Sequence, residues 1–179
     1  MEVLTAFVRE NAPWPPKKGT QTEKTDGEGE TKSEDETPPT PATDVQAALT
    51  VIARRNTEND DKDHRLNLSA TDLRGASLRH AHLQGADLHF AHLEGAYLQK
   101  AHLGAFLYEA HLEFAWLSKA HLEGADLYDA HLEGAIGLKQ EQIVLARGSR
   151  ETELPDGLTH PKHWDECTEE EGEGGKDEG

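Results

Sequence analysis

Histidine is the residue with the most chemistry to offer in this sequence, and it recurs on a beat: His82, His92, His102, His111, His121 and His131, each set between an alanine and a leucine. Imidazoles at regular spacing beside carboxylates can ligate a metal ion, and stacked imidazoles repel one another once protonated, below roughly pH 6.5. Glu94, Glu113 and Glu133 each follow a histidine by two places. The Ala-His-Leu unit nevertheless repeats mechanically, and as sequence nothing separates one copy from the next. A defined site needs convergence, not a ladder, so no metal ligand and no cofactor-binding residue is assigned, while pH sensing by the stacks is an expectation. Asp72, Asp87, Asp126 and Asp129 read as solvated repeat-position carboxylates, and Ser69, Ser77 and Ser118 as ordinary repeat substitutions. The single cysteine, Cys167, lies in an acidic stretch with no base placed to activate it, and one cysteine permits no disulfide within the chain. Gly75, Gly85, Gly95, Gly124 and Gly134 hold the corner position of their repeats and form no phosphate loop. No catalytic residue is assigned, and the chain does not read as an enzyme.

The elements that position these groups follow from a second beat. Leucine returns every fifth residue at Leu68, Leu73, Leu78, Leu83, Leu88, Leu93, Leu98 and Leu103, skips one place, and resumes at Leu107, Leu112, Leu117, Leu122, Leu127 and Leu132. An alanine stands two places before each leucine from Leu78 onward. Five helical steps leave a side chain about 140° off its starting direction, and an odd step crosses to the other face of a strand. A turn must therefore intervene in every unit. The simplest solution is a short extended piece with Ala and Leu pointing inward, then a corner, with successive coils stacked about 4.8 Å apart.

Units such as Ala86-Asp87-Leu88-His89-Phe90 and Ala125-Asp126-Leu127-Tyr128-Asp129 resemble the A-(D/N)-L-x-x repeats of the pentapeptide-repeat family. The resemblance covers residues 66–137 and implies an all-β solenoid: a right-handed quadrilateral β-helix of about three and a half coils, with short α-helical caps and disordered flanks. Four units per coil place residues twenty apart on one wall. His82, His102 and His121 then share a wall, opposite His92, His111 and His131 with their glutamates. A third wall carries Ser77, Tyr97, Trp116 and Ile136, flanked by His80, Lys100 and Lys119, and a fourth carries Asp87, Phe106 and Asp126 with His89, Tyr108 and Tyr128. The inward core is Leu73 through Leu132 on the leucine beat.

Composition divides the 179 residues in the same way. Apolar residues concentrate in the repeats, and of the net charge of −17 only −4 falls on residues 64–138, where 5 Lys and Arg face 9 Asp and Glu. The expected organisation is residues 1–12 as a short helix or the remnant of a longer upstream region, with Val3, Leu4, Phe7 and Val8 on one face. Residues 13–43 follow as a proline-rich disordered linker. Residues 44–63 are read as a capping helix, N-capped by Asp44 with Val45, Ala48, Leu49 and Ile52 inward, and its connection. After the repeats at 64–138, residues 139–164 are read as a C-terminal capping helix over 140–147, packing Ile143 and Val144, then a turn anchored by Trp164. Residues 165–179 form a disordered acidic tail.

These flanks are similar to segments bracketing the repeats in a bacterial branch of the family, whose members often carry membrane helices upstream. No apolar run here reaches the eighteen or more residues a span requires. The expectation is a soluble cytoplasmic protein, at the membrane if the native product is longer. With no basic surface, direct nucleic-acid binding is not expected. The resemblance also offers a DNA mimic that binds a type II topoisomerase. Duplex DNA carries one charge per about 1.7 Å, and a net −4 over these repeats falls well short of that. The favoured reading is a non-catalytic interaction or scaffolding module with an unknown protein partner. Its candidate surface is the outward row Tyr97, Trp116 and Ile136 beside Lys100 and Lys119. Two questions stay open: whether a capping segment covers that row, and whether prisms pair end to end.

Overall fold

A side chain pair of alanine and leucine fills a square coil because one is small and the other large. Each alanine from Ala76 to Ala130 and each leucine from Leu73 to Leu132 on the five-residue beat is at most 4% exposed. The computed structural model describes residues 1–16, 39–57 and 65–164. Within it, each leucine carbonyl from Leu73 to Leu132, Leu103 excepted, accepts a hydrogen bond from the N–H of the alanine three places on, as from Ala76 to Leu73 at 3.0 Å. That bond closes the corner. The residue before the alanine takes a positive φ, whether glycine, as at Gly95 (65°), or not, as at Lys100 (58°).

Coils stack through parallel bridges on all four walls: Asn67 with Asp87, Asp72 with His92, Ser77 with Tyr97, and His82 with His102. The bridges are isolated residue pairs, not extended strands, because a corner in every unit leaves one residue per side free to pair. One coil shortens the register, so that Asp87 meets Phe106 and His92 meets His111. The shortened corner is at Gly104, where the Ala105 N–H reaches the Leu103 carbonyl at 2.6 Å. A Cβ at Gly104 would lie 2.8 Å from the Glu123 carbonyl oxygen, so only glycine fits this tightened turn.

At the first coil, three different devices meet the exposed backbone. The helix α1, Glu2–Asn11, buries Val8 and leads into residues 12–14. These run antiparallel to residues 70–72, with the Trp14 N–H donating to the Ala70 carbonyl at 2.9 Å and the Asp72 N–H to Ala12 at 2.8 Å. Pro13 sits between them at a position whose N–H faces away from the pairing, which is where a proline is tolerated. The helix α2, Thr43–Ala53, buries Val45, Ala48, Leu49 and Ile52 in the same core. Its Ala53 carbonyl accepts from the His82 N–H at 3.0 Å, and its Gln46 side chain bonds both the N–H and the carbonyl of Ser77, at 2.8 and 3.1 Å.

The structure departs from sequence expectation at both ends. Residues 13 and 14, assigned to the linker, belong to the folded body, because the first coil offers an unpaired edge and Trp14 an apolar ring. Asp44 lies inside the first turn of α2, its carboxylate accepting from the Val45 N–H, with Ala42 at the N-cap. The C-terminal helix α3 is only Gln140–Ile143, and Val144 is exposed where it was expected to pack. The reason is register. The chain leaves the helix so that Ala146 turns inward and Arg147 bridges Asp126, after which Glu153 bridges His131. An irregular segment thus continues two walls of the prism. Gln142 donates to the Leu117 and Ala120 carbonyls at 3.1 and 2.8 Å, and the Thr152 hydroxyl to the Leu127 carbonyl at 2.7 Å. Trp164, in a turn of 3-10 helix at Lys162–Trp164, donates its indole N–H to the Ala146 carbonyl at 2.9 Å. Its ring covers Gly148 so closely that a Cβ there would sit 2.8 Å away. The expected linker core and acidic tail, residues 17–38 and 165–179, lie outside the described residues, as do residues 58–64. No helix among the described residues is long and apolar enough to cross a membrane.

Candidate functional site

The coil register carries six outward histidines into two columns. His82, His102 and His121 stack at centroid separations of 5.1 and 4.4 Å, and on the opposite wall His92, His111 and His131 stack at 4.3 and 4.6 Å. The two columns differ in their partners. His92 Nδ1 lies 2.9 Å from Glu94, His111 Nδ1 3.2 Å from Glu113, and His131 Nδ1 2.5 Å from Glu153, a residue of the C-terminal segment. Glu133, expected beside His131, is exposed. The other column has Gln84 and Gly104 at the corresponding places, and its one carboxylate, Glu123, is 3.6 Å from His121. Charge follows geometry. Desolvation first, then the flanking His121 and His82, hold the His102 pKa below the usual histidine value, while the hydrogen bond that His131 donates to Glu153 raises that of His131.

Sequence reasoning missed what covers the second column. The Trp14 ring stacks on His92 at 3.5 Å, and the Arg74 guanidinium lies 4.9 Å from the Trp14 ring centre. Arg74 is itself committed to Asp72 through paired 2.8 Å hydrogen bonds, which raise its pKa. His92 is consequently buried, with its side chain 9% exposed. The donor atoms of His92, Glu94 and His111 all fall within 4.8 Å of one another.

The third wall brings together the row expected from sequence. Tyr97 and Trp116 stack at 6.2 Å, Ile136 continues the column, and Arg79 lies 4.2 Å over the Tyr97 ring. Trp116 and Ile136 stay open, 39% and 37% exposed, while Lys100 and Lys119 occupy left-handed corners beside them. Phe114 joins this surface unforeseen. It takes φ 58° at a corner where the neighbouring coils have glycine, and its exposed ring lies on Gly134. A left-handed aromatic residue costs roughly 1–2 kcal/mol. The signal was present in the sequence as the one non-glycine in the column Gly75, Gly95, Phe114, Gly134.

Of the other candidates, Asp72 is bound by Arg74, Asp87 pairs with His89 at 2.6 Å, and Asp129 accepts from the Ser149 hydroxyl at 2.8 Å. Asp126 lies in the bridge to Arg147. Cys167 lies outside the described residues.

A family model for pentapeptide repeats matches residues 65–104 and 107–136, in 8 copies. Residues 65–104 and 107–136 are thus a run of pentapeptide repeats. Their fold is accordingly a right-handed β-helix solenoid. A pentapeptide repeat protein of the Arabidopsis thaliana thylakoid lumen is 29% identical over 50% of this chain and 55% of its own, with a TM-score of 0.37. One from Nostoc Pcc 7120 is 28% identical over 53% of this chain and 78% of its own, with a TM-score of 0.32. The present pentapeptide-repeat protein thus spans about half the length of the first of these. No curated protein matches it.

Proposed function

We propose that this pentapeptide-repeat protein is a non-catalytic interaction module. In this reading about three and a half coils form a rigid prism, α1 and α2 cap one end, α3 and the Trp164 turn cap the other, and the Tyr97, Trp116 and Ile136 wall receives a protein partner. The observation that carries the reading is that Trp116 and Ile136 on one wall, and Phe114 at the corner before Trp116, stay exposed, whereas Phe90, the other exposed large apolar side chain of the repeats, packs edge-on against Tyr108. Contiguous exposed apolar surface centred on Trp and Tyr is the usual composition of a protein contact. The bland alternative, that the chain's own caps cover this wall, has less support. α2 reaches it at Ser77 through Gln46, and Trp164 is seated on Ala146 and Gly148. Lys100 and Lys119 have no ion-pair partner among the described residues, which favours a partner with acidic groups beside its apolar contact. The DNA-mimic alternative draws no support, because basic groups interleave with acidic ones on these walls. The proposed setting is the cytoplasm, or the membrane face if the native product carries upstream helices.

The test compares the full chain with the Tyr97→Ser, Trp116→Ser double variant as bait, once both give the same circular dichroism and closely similar melting temperatures. A protein retained by the wild type and lost from the variant is the expected outcome. Equal retention by both baits, or no protein retained by either, removes the wall as the functional surface.

A further inference from the structure

The column of His92, His111 and His131 looks uniform as sequence, and the tertiary structure makes one step of it unlike the rest. Trp14 closes the top of the column over His92 and fixes that ring in place. Below, His131 is taken up by Glu153. Between these limits, each of two successive coils offers an imidazole nitrogen and a carboxylate oxygen: His92 with Glu94 at 2.9 Å, and His111 with Glu113 at 3.2 Å. Donor atoms of a tetrahedral zinc ion, at about 2.0–2.2 Å from the metal, stand about 3.3–3.6 Å apart. Each coil therefore already presents one near-complete edge of such a tetrahedron.

A second observation points the same way. The outer carboxylate oxygens of both Glu94 and Glu113, the Oε2 atoms, are buried with no hydrogen-bond partner among the described residues. An anionic oxygen held from water without a donor is costly, and a cation between the two coils relieves both at once. Arg74, which feels the Glu94 charge, is held in its bidentate pair with Asp72.

We propose that His92, Glu94, His111 and Glu113 form a binding site for a divalent transition-metal ion of the zinc class, two nitrogens and two oxygens bridging adjacent coils under Trp14. Ligation through Nδ1 uses the imidazole tautomer that carries its proton on Nε2. The two rings are now 11° from parallel at 4.3 Å. The site closes when the His111 ring turns about its Cβ–Cγ bond toward His92. His111 has the room, its side chain being 33% exposed against 9% for His92. The opposite column cannot do the same, since His82 and His102 have Gln84 and Gly104 where this column has glutamates.

The test is calorimetric titration of the chelator-treated, tag-free full chain with zinc chloride alone, with cobalt(II) absorption as a second readout of tetrahedral coordination. One ion per chain is expected. Glu94→Gln and Glu113→Gln, which keep shape and a hydrogen bond to the imidazole, each weaken it by about tenfold to a hundredfold. His111→Gln abolishes the cobalt bands, while His102→Gln leaves affinity unchanged; circular dichroism establishes that every variant is folded. The proposal is overturned by absence of binding, by affinity that neither glutamine variant changes, or by several ions whose binding His102→Gln reduces as much as Glu94→Gln.

Discussion

At the scale of single residues, His102 in one column and His131 in the other respond to acid in opposite senses. His102 has a folded pKa below its unfolded value of about 6.5, because burial and its neighbours His121 and His82 disfavour the charged ring. The unfolded chain takes up that proton first. Stability from His102 is therefore complete above about pH 6.5 and is lost as pH falls toward the lowered folded value. His131 behaves in reverse. Its pKa is raised by the Glu153 hydrogen bond, so its contribution is complete below about pH 6.5 and is lost as pH rises through the raised folded value. Melting temperatures between pH 5 and 8 read both effects. His102→Gln is expected to flatten the acid side of the profile and His131→Gln the alkaline side, whereas parallel profiles for both variants and the wild type would show that neither linkage operates. The uniform spacing of the histidines carries no hint of this asymmetry, which comes from Glu153, a residue outside the repeats.

At the scale of elements, two glutamines do equivalent work at opposite ends of the prism. Gln46 of α2 meets the backbone of Ser77, and Gln142 of α3 meets the carbonyls of Leu117 and Ala120 while its oxygen accepts from the Lys139 N–H at 2.9 Å. A stack of coils ends in unpaired backbone, and a side-chain amide supplies both donor and acceptor. The environments differ: the Gln142 bonds to Leu117 and Ala120 are buried and those of Gln46 are exposed. Water replaces a lost partner only in the second case. Gln142→Ala is expected to destabilise by about 2–3 kcal/mol and Gln46→Ala by about 1 kcal/mol, measured by urea unfolding. Equal losses would mean that the C-terminal end admits water. Helical periodicity identified the inward face of α2 correctly, yet it extended α3 to Arg147, because a window of helix formers does not reveal that Arg147 must bridge Asp126.

At the scale of the whole molecule, the N-terminal segment decides whether the prism has an open edge. Residues 12–14 occupy the backbone of residues 70–72, the place where a second copy could otherwise add. Deletion of residues 1–16 is expected to raise the sedimentation coefficient of the chain relative to the full-length form at equal concentration. An unchanged coefficient, with the truncated chain folded, would show that α2 alone protects the first coil. The sequence by itself determined a corner in every unit and the inward leucines, since a five-residue period fits neither helix nor strand, and its resemblance to pentapeptide repeats, four to a coil, supplied the residues of each wall. The skipped residue at Gly104 was legible for the same reason. Tertiary structure alone decided that Trp14 lies on His92, that Glu153 reaches His131, and that Phe114 stands beside Trp116 over Gly134. Those contacts join non-repeating segments to distant coils or cross from one coil to the next at an irregular corner, and their partners are chosen by shape, burial and unpaired backbone in three dimensions, quantities that no spacing along the chain records.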